Sequence, residues 1–135
     1  MGKSAPQETY VAAIIERVDN AILIALPPGQ GLQERRWRFP LARKKRAEMP
    51  EVAIRRLAKT VLGTELEIVV GQPPIPVLID GVPSILRYFF CGLLGDEPTP
   101  GPYDEVRWVQ RGRLIEYEYD ETANAVVDWL VEQHE

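Results

Sequence analysis

The sequence predicts an α/β or α+β sandwich, in which helices pack against a β-sheet. Short apolar runs typical of strands are interleaved with two segments, one central and one C-terminal, whose apolar residues recur at helical spacing. The 135 residues, 45% of them hydrophobic and 27% charged, suit one globular domain that buries its own core. We therefore expect a single domain over residues 1–135, with a flexible N-terminus at 1–8.

Turn residues divide the apolar runs into strands. Asp19-Asn20 is a tight-turn pair, which predicts a hairpin between the runs at 10–16 and 21–26. Asp80-Gly81 is a hairpin signal between the runs at 77–79 and 82–86. Further strands are predicted at 37–39, ended by Pro40, at 66–70, at 106–109, and at 85–94, which is apolar enough to be buried on both faces. Prolines and glycines predict loops at 27–31 and 95–104.

Two segments have the apolar spacing of helices. Residues 50–62 begin with Pro50, which suits a first helical position, and end before Gly63, which suits a C-terminal stop. The C-terminal helix is predicted to begin after Asp120, a favourable N-cap. The predicted apolar stripes are Ile54, Leu57, Ala58 and Val61 in the first helix, and Ala123, Val126, Val127, Leu130 and Val131 in the second.

The net charge of −4 conceals an uneven distribution of charge. Residues 35–59 contain ten basic and two acidic side chains, whereas residues 96–135 contain three basic and eleven acidic ones. Two interpretations remain open: a solvated basic face that pairs with the acidic third, within the chain or in a homodimer, and a site for an anion. Arginine binds phosphate through its planar fork, and lysine adds charge. Nucleic acid is disfavoured, because the protein is acidic overall and no aromatic residue interleaves with Arg43–Arg46.

Residues 37–64 resemble the signature of the Nudix hydrolase family. That signature runs Gly, five residues, Glu, seven residues, Arg-Glu, apolar, any, Glu-Glu, any, Gly, apolar, and a Trp-x-Phe-Pro strand usually precedes it. Residues 37–40 match that strand, and Glu48, Arg56 and Gly63 fall on the first Glu, the Arg and the closing Gly. Residues 105–109 resemble the Glu-x-x-Trp-Val strand of many members. The resemblance covers residues 10–133 and implies a Nudix-type α/β/α sandwich with a mixed sheet.

The sequence departs from the family at the carboxylates that hold magnesium on the helix. The Arg-Glu pair of the signature is Arg56-Leu57 here, and its Glu-Glu pair is Thr60-Val61. Magnesium prefers oxygen ligands, which Leu57 and Val61 do not offer. We interpret both as members of the apolar stripe, and we expect neither a metal nor another cofactor.

Two functions remain open on these grounds. In the first, the domain is not a magnesium-dependent hydrolase and binds a phosphorylated small molecule or another partner; the candidate ligand-binding residues are Arg43, Lys44, Lys45, Arg46 and Arg56. The resemblance places residues 43–46 in the loop where Nudix enzymes hold pyrophosphate and metal, with the Glu48–Arg56 pair fixing its shape. In the second, a divergent Nudix hydrolase cleaves a nucleoside diphosphate-linked substrate with Mg²⁺ held by Glu48, Glu51 or Glu105.

Other catalytic arrangements and membrane insertion find no support in the sequence. Cys91 lies in an apolar run and is predicted to be an inert core thiol, while the single histidine, His134, lies next to the C-terminus. One cysteine suits a reducing compartment. No run approaches the roughly 20 apolar residues of a membrane helix. We therefore expect a cytoplasmic protein without membrane contact.

Overall fold

The computed structural model describes residues 8–29 and 35–132, and it confirms the predicted α/β sandwich. Its strands are β1 (Glu8–Glu16), β2 (Ala21–Leu26), β3 (Leu41–Arg43), β4 (Leu66–Gly71), β5 (Ile75–Ile79), β6 (Val82–Leu93) and β7 (Glu105–Gln110). The helices are α1 (Pro50–Arg56), which continues as a π-helical turn (Leu57–Val61), a 3-10 helix (Arg111–Glu116) and α2 (Glu121–Glu132). The flexible segment expected at 1–8, apart from Glu8, and His134 lie outside the described residues.

The strands that the structure describes form one open mixed sheet, as the family resemblance implied. Its order is β4-β6-β1-β2-β7, with β5 pairing with β6 and β3 with β1. The parallel pair is β1 with β6, and the other pairs are antiparallel. Alternate residues of β1 enter two cores, one containing Ile14 and covered by α2, the other containing Ala13 and covered by α1.

The first predicted hairpin is closed only at its turn. The amide of Arg17 donates to the carbonyl of Ala21, with N and O 2.9 Å apart, but β1 and β2 pair no further than this end. Beyond it, residues 37–43 lie between the two strands, where Ala25 of β2 pairs with Arg38 and the other side of the segment pairs with β1. This segment thereby brings the chain to the start of α1 from the middle of the sheet.

The strand predicted at 37–39 is reduced to isolated bridges at Trp37 and Arg38, and a separate strand, β3, begins directly after Pro40. Trp37 and Phe39 are buried as their alternation predicted. The carbonyl of Pro40 accepts a hydrogen bond from the Ala13 amide at 2.9 Å. Proline lacks only the backbone donor, so it is tolerated where its carbonyl alone joins the ladder.

The central helix occupies the predicted residues, but its last turn is wider than an α-helical turn. The amide of Leu62 donates to the carbonyl of Leu57, five residues back, at 3.3 Å. Ile54, Leu57 and Ala58 are buried as predicted, whereas Val61 is half-buried and Leu62 is buried in its place. The additional residue in a π-helical turn shifts the apolar stripe by one position, which the regular spacing did not predict.

The C-terminal half follows the predicted order with one addition. Asp80 and Gly81 both have positive φ, 52° and 81°, as the predicted turn requires, and the two strands predicted after it form the single strand β6. Asp120 Oδ1 accepts a hydrogen bond from the Thr122 amide at 3.0 Å, which confirms the N-cap of α2. The 3-10 helix at Arg111–Glu116 was not predicted, because so short a segment has no apolar period. No helix in the described ranges is long and apolar enough to cross a membrane.

Candidate functional site

The basic loop, residues 43–46, connects β3 to α1 at the end of the sheet where β1 begins. Arg43 is the last residue of β3, and the amide of Lys44 donates to the carbonyl of Thr9 in β1 at 2.8 Å. On the other side, α1 begins at Pro50. The loop is therefore anchored at both ends by regular structure.

Glu48 and Arg56 form a two-point ion pair that closes the basic loop. Arg56 Nε lies 2.9 Å from Glu48 Oε2, and Arg56 Nη2 lies 2.8 Å from Glu48 Oε1. The carbonyl of Arg43 accepts from the same Nη2 at 2.9 Å, and the amide of Lys45 donates to Glu48 Oε1 at 3.0 Å. Because Arg56 and then the Lys45 amide stabilise the charged carboxylate, the pKa of Glu48 falls from 4.5 to about 2. Both members of the pair hold the loop in one shape.

The cations of the basic loop are not equally available to a ligand. Lys44 Nζ donates to three backbone carbonyls of the loop and its C-terminal flank, at 3.0 to 3.5 Å. The guanidinium of Arg43 pairs with the carboxylate of Glu8. Lys45 and Arg46 are exposed, and neither forms an ion pair with a residue that the structure describes. Of the five predicted ligand-binding residues, Lys45 and Arg46 therefore have the side chains with the fewest hydrogen bonds and ion pairs to other described residues.

Two further cations lie on the adjoining helical segment. Arg55 and Lys59 are exposed and four positions apart, and neither pairs with a carboxylate in the described part of the chain. They belong to the basic segment of the sequence but were not predicted as ligand-binding residues. Both lie outside the apolar stripe of the helix, so the helical spacing itself indicated that they would be exposed.

The arginines before the basic loop pair with the acidic C-terminal third. Arg35 lies 3.1 Å from Glu105, Arg36 lies 3.7 Å from Glu118, and Arg38 Nε lies 2.7 Å from Asp120. Pairing with the acidic third therefore accounts for only part of the basic segment. Its first three arginines are neutralised within the chain, whereas Lys45 and Arg46 have no such partner among the described residues.

Tyr103, which the sequence analysis did not single out, closes the space between the loop at 95–104 and β3. The Leu41 amide donates to Tyr103 Oη at 3.2 Å, and Oη lies 3.4 Å from the Leu41 carbonyl. Burial raises the pKa of the Tyr103 phenol. Its ring packs against the core that contains Leu57, together with the half-buried Ala42 and Val61. Ala42 takes the position of the first glycine of the family signature, six residues before Glu48.

The loop at 95–104 also covers the end of the π-helical turn. The amide and the hydroxyl of Thr99 both donate to the carbonyl of Leu62, at 2.8 and 3.2 Å. Gly101 has a φ of 56°, and a Cβ on it would lie 2.1 Å from the carbonyl oxygen of Val61. Only glycine allows this approach, so the loop and the helical segment are fitted to each other.

Solved structures of Nudix hydrolases match this arrangement over nearly the whole chain. MutT, described from Aliivibrio salmonicida and Vibrio cholerae, is 23% identical with a TM-score of 0.69, over 95% of this chain and 99% of that one. A NUDIX-family hydrolase of Clostridium perfringens is 14% identical with a TM-score of 0.74, over 97% and 100% of the two chains. An Ap4A hydrolase of C. elegans, in a binary complex, is 14% identical with a TM-score of 0.74, over 94% of each. The chain has the Nudix fold.

The likeness to these hydrolases is one of fold, because their sequences are 14 to 23% identical to this one. No family model matches the sequence, and no curated protein matches it either. These likenesses therefore assign a fold to this chain but no activity.

In this Nudix fold, apolar and neutral side chains occupy the helix positions where the family signature has carboxylates. Leu57 is 0% exposed and packs with Ile54 and residues of β1. Thr60 Oγ1 donates to the carbonyl of Arg56 at 2.7 Å, and Val61 is half-buried against the same core as Leu57. None of the three supplies an anionic ligand for a hard cation.

The three carboxylates proposed for a displaced metal site have separate surroundings. Glu48 is paired with Arg56, and Glu105 lies 3.1 Å from Arg35. Glu51 is different, because its Oε1 is buried and has no hydrogen-bond partner among the described residues. Within residues 8–29 and 35–132, no three acidic, histidine or cysteine side chains are grouped as metal ligands.

Cys91 has the environment that the sequence predicted. It is buried in the core on the α1 face of the sheet, and burial raises the pKa of its thiol to about 12. The thiolate form required of a nucleophile is therefore disfavoured at neutral pH.

Proposed function

We propose that this Nudix-fold domain binds a multivalent, phosphate-bearing small molecule at the basic loop, without a metal ion and without hydrolysing it. The observation that supports this most directly is that Lys45 and Arg46 are exposed and form no ion pair with a described residue, on a loop that Glu48 and Arg56 hold in place. Because the loop backbone is already held, only the side chains of Lys45 and Arg46 lose freedom when an anion binds.

The surrounding charges favour an anion over a cation. Arg55 and Lys59 extend the unpaired positive charge along the helical segment, and Arg43 adds a partly exposed guanidinium. Guanidinium and ammonium groups bind phosphate through charge-assisted hydrogen bonds. These charges are covalently fixed, so a chelator should not affect binding, and because they are exposed, salt should weaken it.

The absence of hydrolysis is proposed from the helix positions that normally carry carboxylates. The buried Leu57 supplies no oxygen, and the Thr60 hydroxyl is used by the helix backbone. A metal ion that neutralises phosphate charge and activates water contributes several kcal/mol to transition-state stabilisation. Fixed cations can replace its role in binding phosphate, but they do not generate a hydroxide nucleophile.

Calorimetry with pyrophosphate and with ADP-ribose in EDTA, at low and moderate salt, tests the binding proposal. We expect heat of binding at low salt, weaker binding at moderate salt, and a marked loss of affinity in Arg46→Gln. Arg113→Gln is the matched control, since it removes the same charge from an exposed arginine that pairs with Glu116. If neither heat nor a thermal shift appears at low salt, the basic loop is only a solvated face and the proposal is wrong.

One observation favours a second candidate, a divergent metal-dependent hydrolase of nucleoside diphosphate-linked substrates. Glu51 Oε1 is buried without a hydrogen-bond partner among the described residues, and a bound cation would satisfy it. Hydrolysis assays with Mg²⁺ or Mn²⁺ separate the candidates. Metal-dependent turnover near about 1 s⁻¹ that is lost in Glu51→Gln would establish the second candidate.

A further inference from the structure

A cavity of about 490 Å³ lies at the opposite end of the sheet from the basic loop. It is formed where β1 ends, beside Glu16 and Gly92, whereas the basic loop meets β1 at Thr9. Glu16 lies seven positions along the extended strand β1 from Thr9, which is roughly 23 Å. Its wall residues belong to both cores, Ile14 to the one covered by α2 and Cys91 to the one covered by α1, so the cavity lies at the end of the sheet and shares no lining residue with the basic loop. It is therefore separate from the proposed phosphate site.

The walls of this cavity are mostly apolar. They include Ile14, Ile22, Val69, Phe90 and Leu93. A concave site of this volume, lined by apolar side chains with a few polar groups, is typical of small-molecule sites. The apolar walls favour a ligand with an aliphatic or aromatic body.

Arg111 is the polar residue of the cavity whose side chain has an unsatisfied hydrogen-bond donor. It lines the cavity, and its Nε is buried without an acceptor among the described residues. Its backbone is fixed, because the Arg111 amide donates to the carbonyl of Asn20 at 3.2 Å. Its one ion pair with a described residue is long, with Nη1 4.0 Å from Glu16 Oε2. Nε is closed to solvent as the side chain stands, so the guanidinium would have to turn toward the cavity for a ligand to satisfy this donor, and satisfying a buried donor is favourable.

The other arginine of the cavity is already engaged. Arg17 donates to both carboxylate oxygens of Asp19, at 3.1 and 2.9 Å, and its guanidinium lies 4.4 Å from the ring centroid of Trp108. The cavity therefore offers one guanidinium in need of an acceptor, that of Arg111, next to one carboxylate, that of Glu16. Glu16 repels any anion, but it repels a dianion more strongly than a monoanion, so a single negative charge beside Arg111 is favoured over two.

We infer that this cavity binds a small monocarboxylate with an apolar body. The carboxylate accepts from Arg111 Nε, and the body of the ligand packs against the apolar wall that includes Ile14 and Phe90. The guanidinium gives specificity for an acidic ligand, and the apolar wall supplies most of the buried area.

Sodium octanoate is a suitable probe, with octan-1-ol as the neutral molecule of the same chain length and octyl phosphate as the dianion. Calorimetry should show octanoate binding the wild-type protein, with an affinity at least about tenfold lower in Arg111→Gln, since a hydrogen bond to a charged group is lost. Arg113→Gln should bind octanoate as the wild type does. Amide resonances of Gly92 and Arg111 in the wild-type protein should shift on titration, which tests the location without a variant.

Three results would show that no site for octanoate exists at this place in the fold. They are no binding of octanoate by the wild-type protein, equal binding by Arg111→Gln, and amide shifts confined to other parts of the chain. Octan-1-ol binding as tightly as octanoate would mean a plain apolar groove, and tighter binding of octyl phosphate would contradict the preference for a single charge. Either of the last two outcomes rejects a monocarboxylate site.

Discussion

At the scale of single residues, Leu57 separates this chain most clearly from the signature that it resembles. A glutamate at this position in the signature belongs to the metal site, whereas Leu57 is completely buried against Ile54 and β1. The helical spacing predicted this burial, because Leu57 falls on the stripe of Ile54 and Ala58. Spacing alone could not predict that Tyr103, from a distant loop, would close the same region, since that contact depends on tertiary structure.

Replacing Leu57 by glutamate should destabilise the protein by about 2 to 5 kcal/mol. The substitution removes buried leucine contacts and places a carboxylate in a core of apolar side chains. Thermal melts of the two proteins measure the effect. Val52→Glu is the matched control, because Val52 is 49% exposed on the same helix and should tolerate a charge. Equal melting temperatures for Leu57→Glu and the wild type would show that position 57 is an open, solvated site.

Glu48 should give the protein an acid-dependent stability. Its pKa in the folded state, about 2, lies below the ordinary value of 4.5, so its contribution is complete above about pH 4.5 and is lost as the pH falls toward 2. The melting temperature of the wild type should therefore exceed that of Glu48→Gln at neutral pH, and the difference should shrink between pH 4.5 and pH 2. Glu67→Gln, a change at an exposed strand residue, should show no such trend. A difference that stays constant with pH would refute the assignment.

At the scale of elements, the contacts that sequence reasoning missed are those between segments distant in the chain. Turn residues were sufficient for the strand pair beside Asp80-Gly81 and for the turn at Asp19-Asn20, because both are local, although β1 and β2 pair only next to that turn. Residues 37–43 lie between β1 and β2 and form hydrogen bonds with both strands. No local sequence pattern indicates this arrangement. The π-helical turn is of the same kind, since its end is covered by the loop at 95–104.

Gly101→Ala should destabilise the protein by more than about 1 kcal/mol, because it combines a positive φ with a collision. The added Cβ would lie 2.1 Å from the carbonyl oxygen of Val61. Gly29→Ala is an informative control, since Gly29 also has a positive φ, 81°, but nothing lies within 4 Å of its added Cβ. Denaturant unfolding of both variants should show the larger loss for Gly101→Ala. Equal losses of stability in the two variants would mean that the positive φ alone is responsible and that the contact between Gly101 and Val61 does not contribute.

At the scale of the whole molecule, the charge asymmetry of the sequence is partly resolved within the chain. The carboxyl-terminal third neutralises Arg35, Arg36 and Arg38, whereas Lys45 and Arg46 have no ion-pair partner in the part of the chain that the structure describes. The sequence predicted the charge asymmetry and both of its interpretations, but it could not indicate which of the cations pair with the acidic third. A homodimer held by these charges stays a prediction, and its size in solution should then decrease as salt is raised.

The intact protein should not hydrolyse nucleoside diphosphate derivatives when Mg²⁺ or Mn²⁺ is added. The reason is that its helix presents Leu57, Thr60 and Val61 in place of metal-binding carboxylates. Release of phosphate or nucleotide, followed over hours by chromatography, measures the reaction. Turnover that depends on the metal and is abolished by EDTA would contradict this prediction.

The parallel ladder between β1 and β6 has a consequence for the order in which the chain can fold. Glu8 pairs with Ser84 and Glu16 with Gly92, so that more than half of the chain lies between the partners. Pairing so distant in sequence is slow, because a long loop must be closed before any contact compensates for its entropy. During synthesis, the apolar strand β1 emerges first and waits without this partner until β6 has left the ribosome. The nascent chain therefore exposes the edge of β1 that pairs with β6 until β6 is available, and refolding at high concentration should lose yield for the same reason.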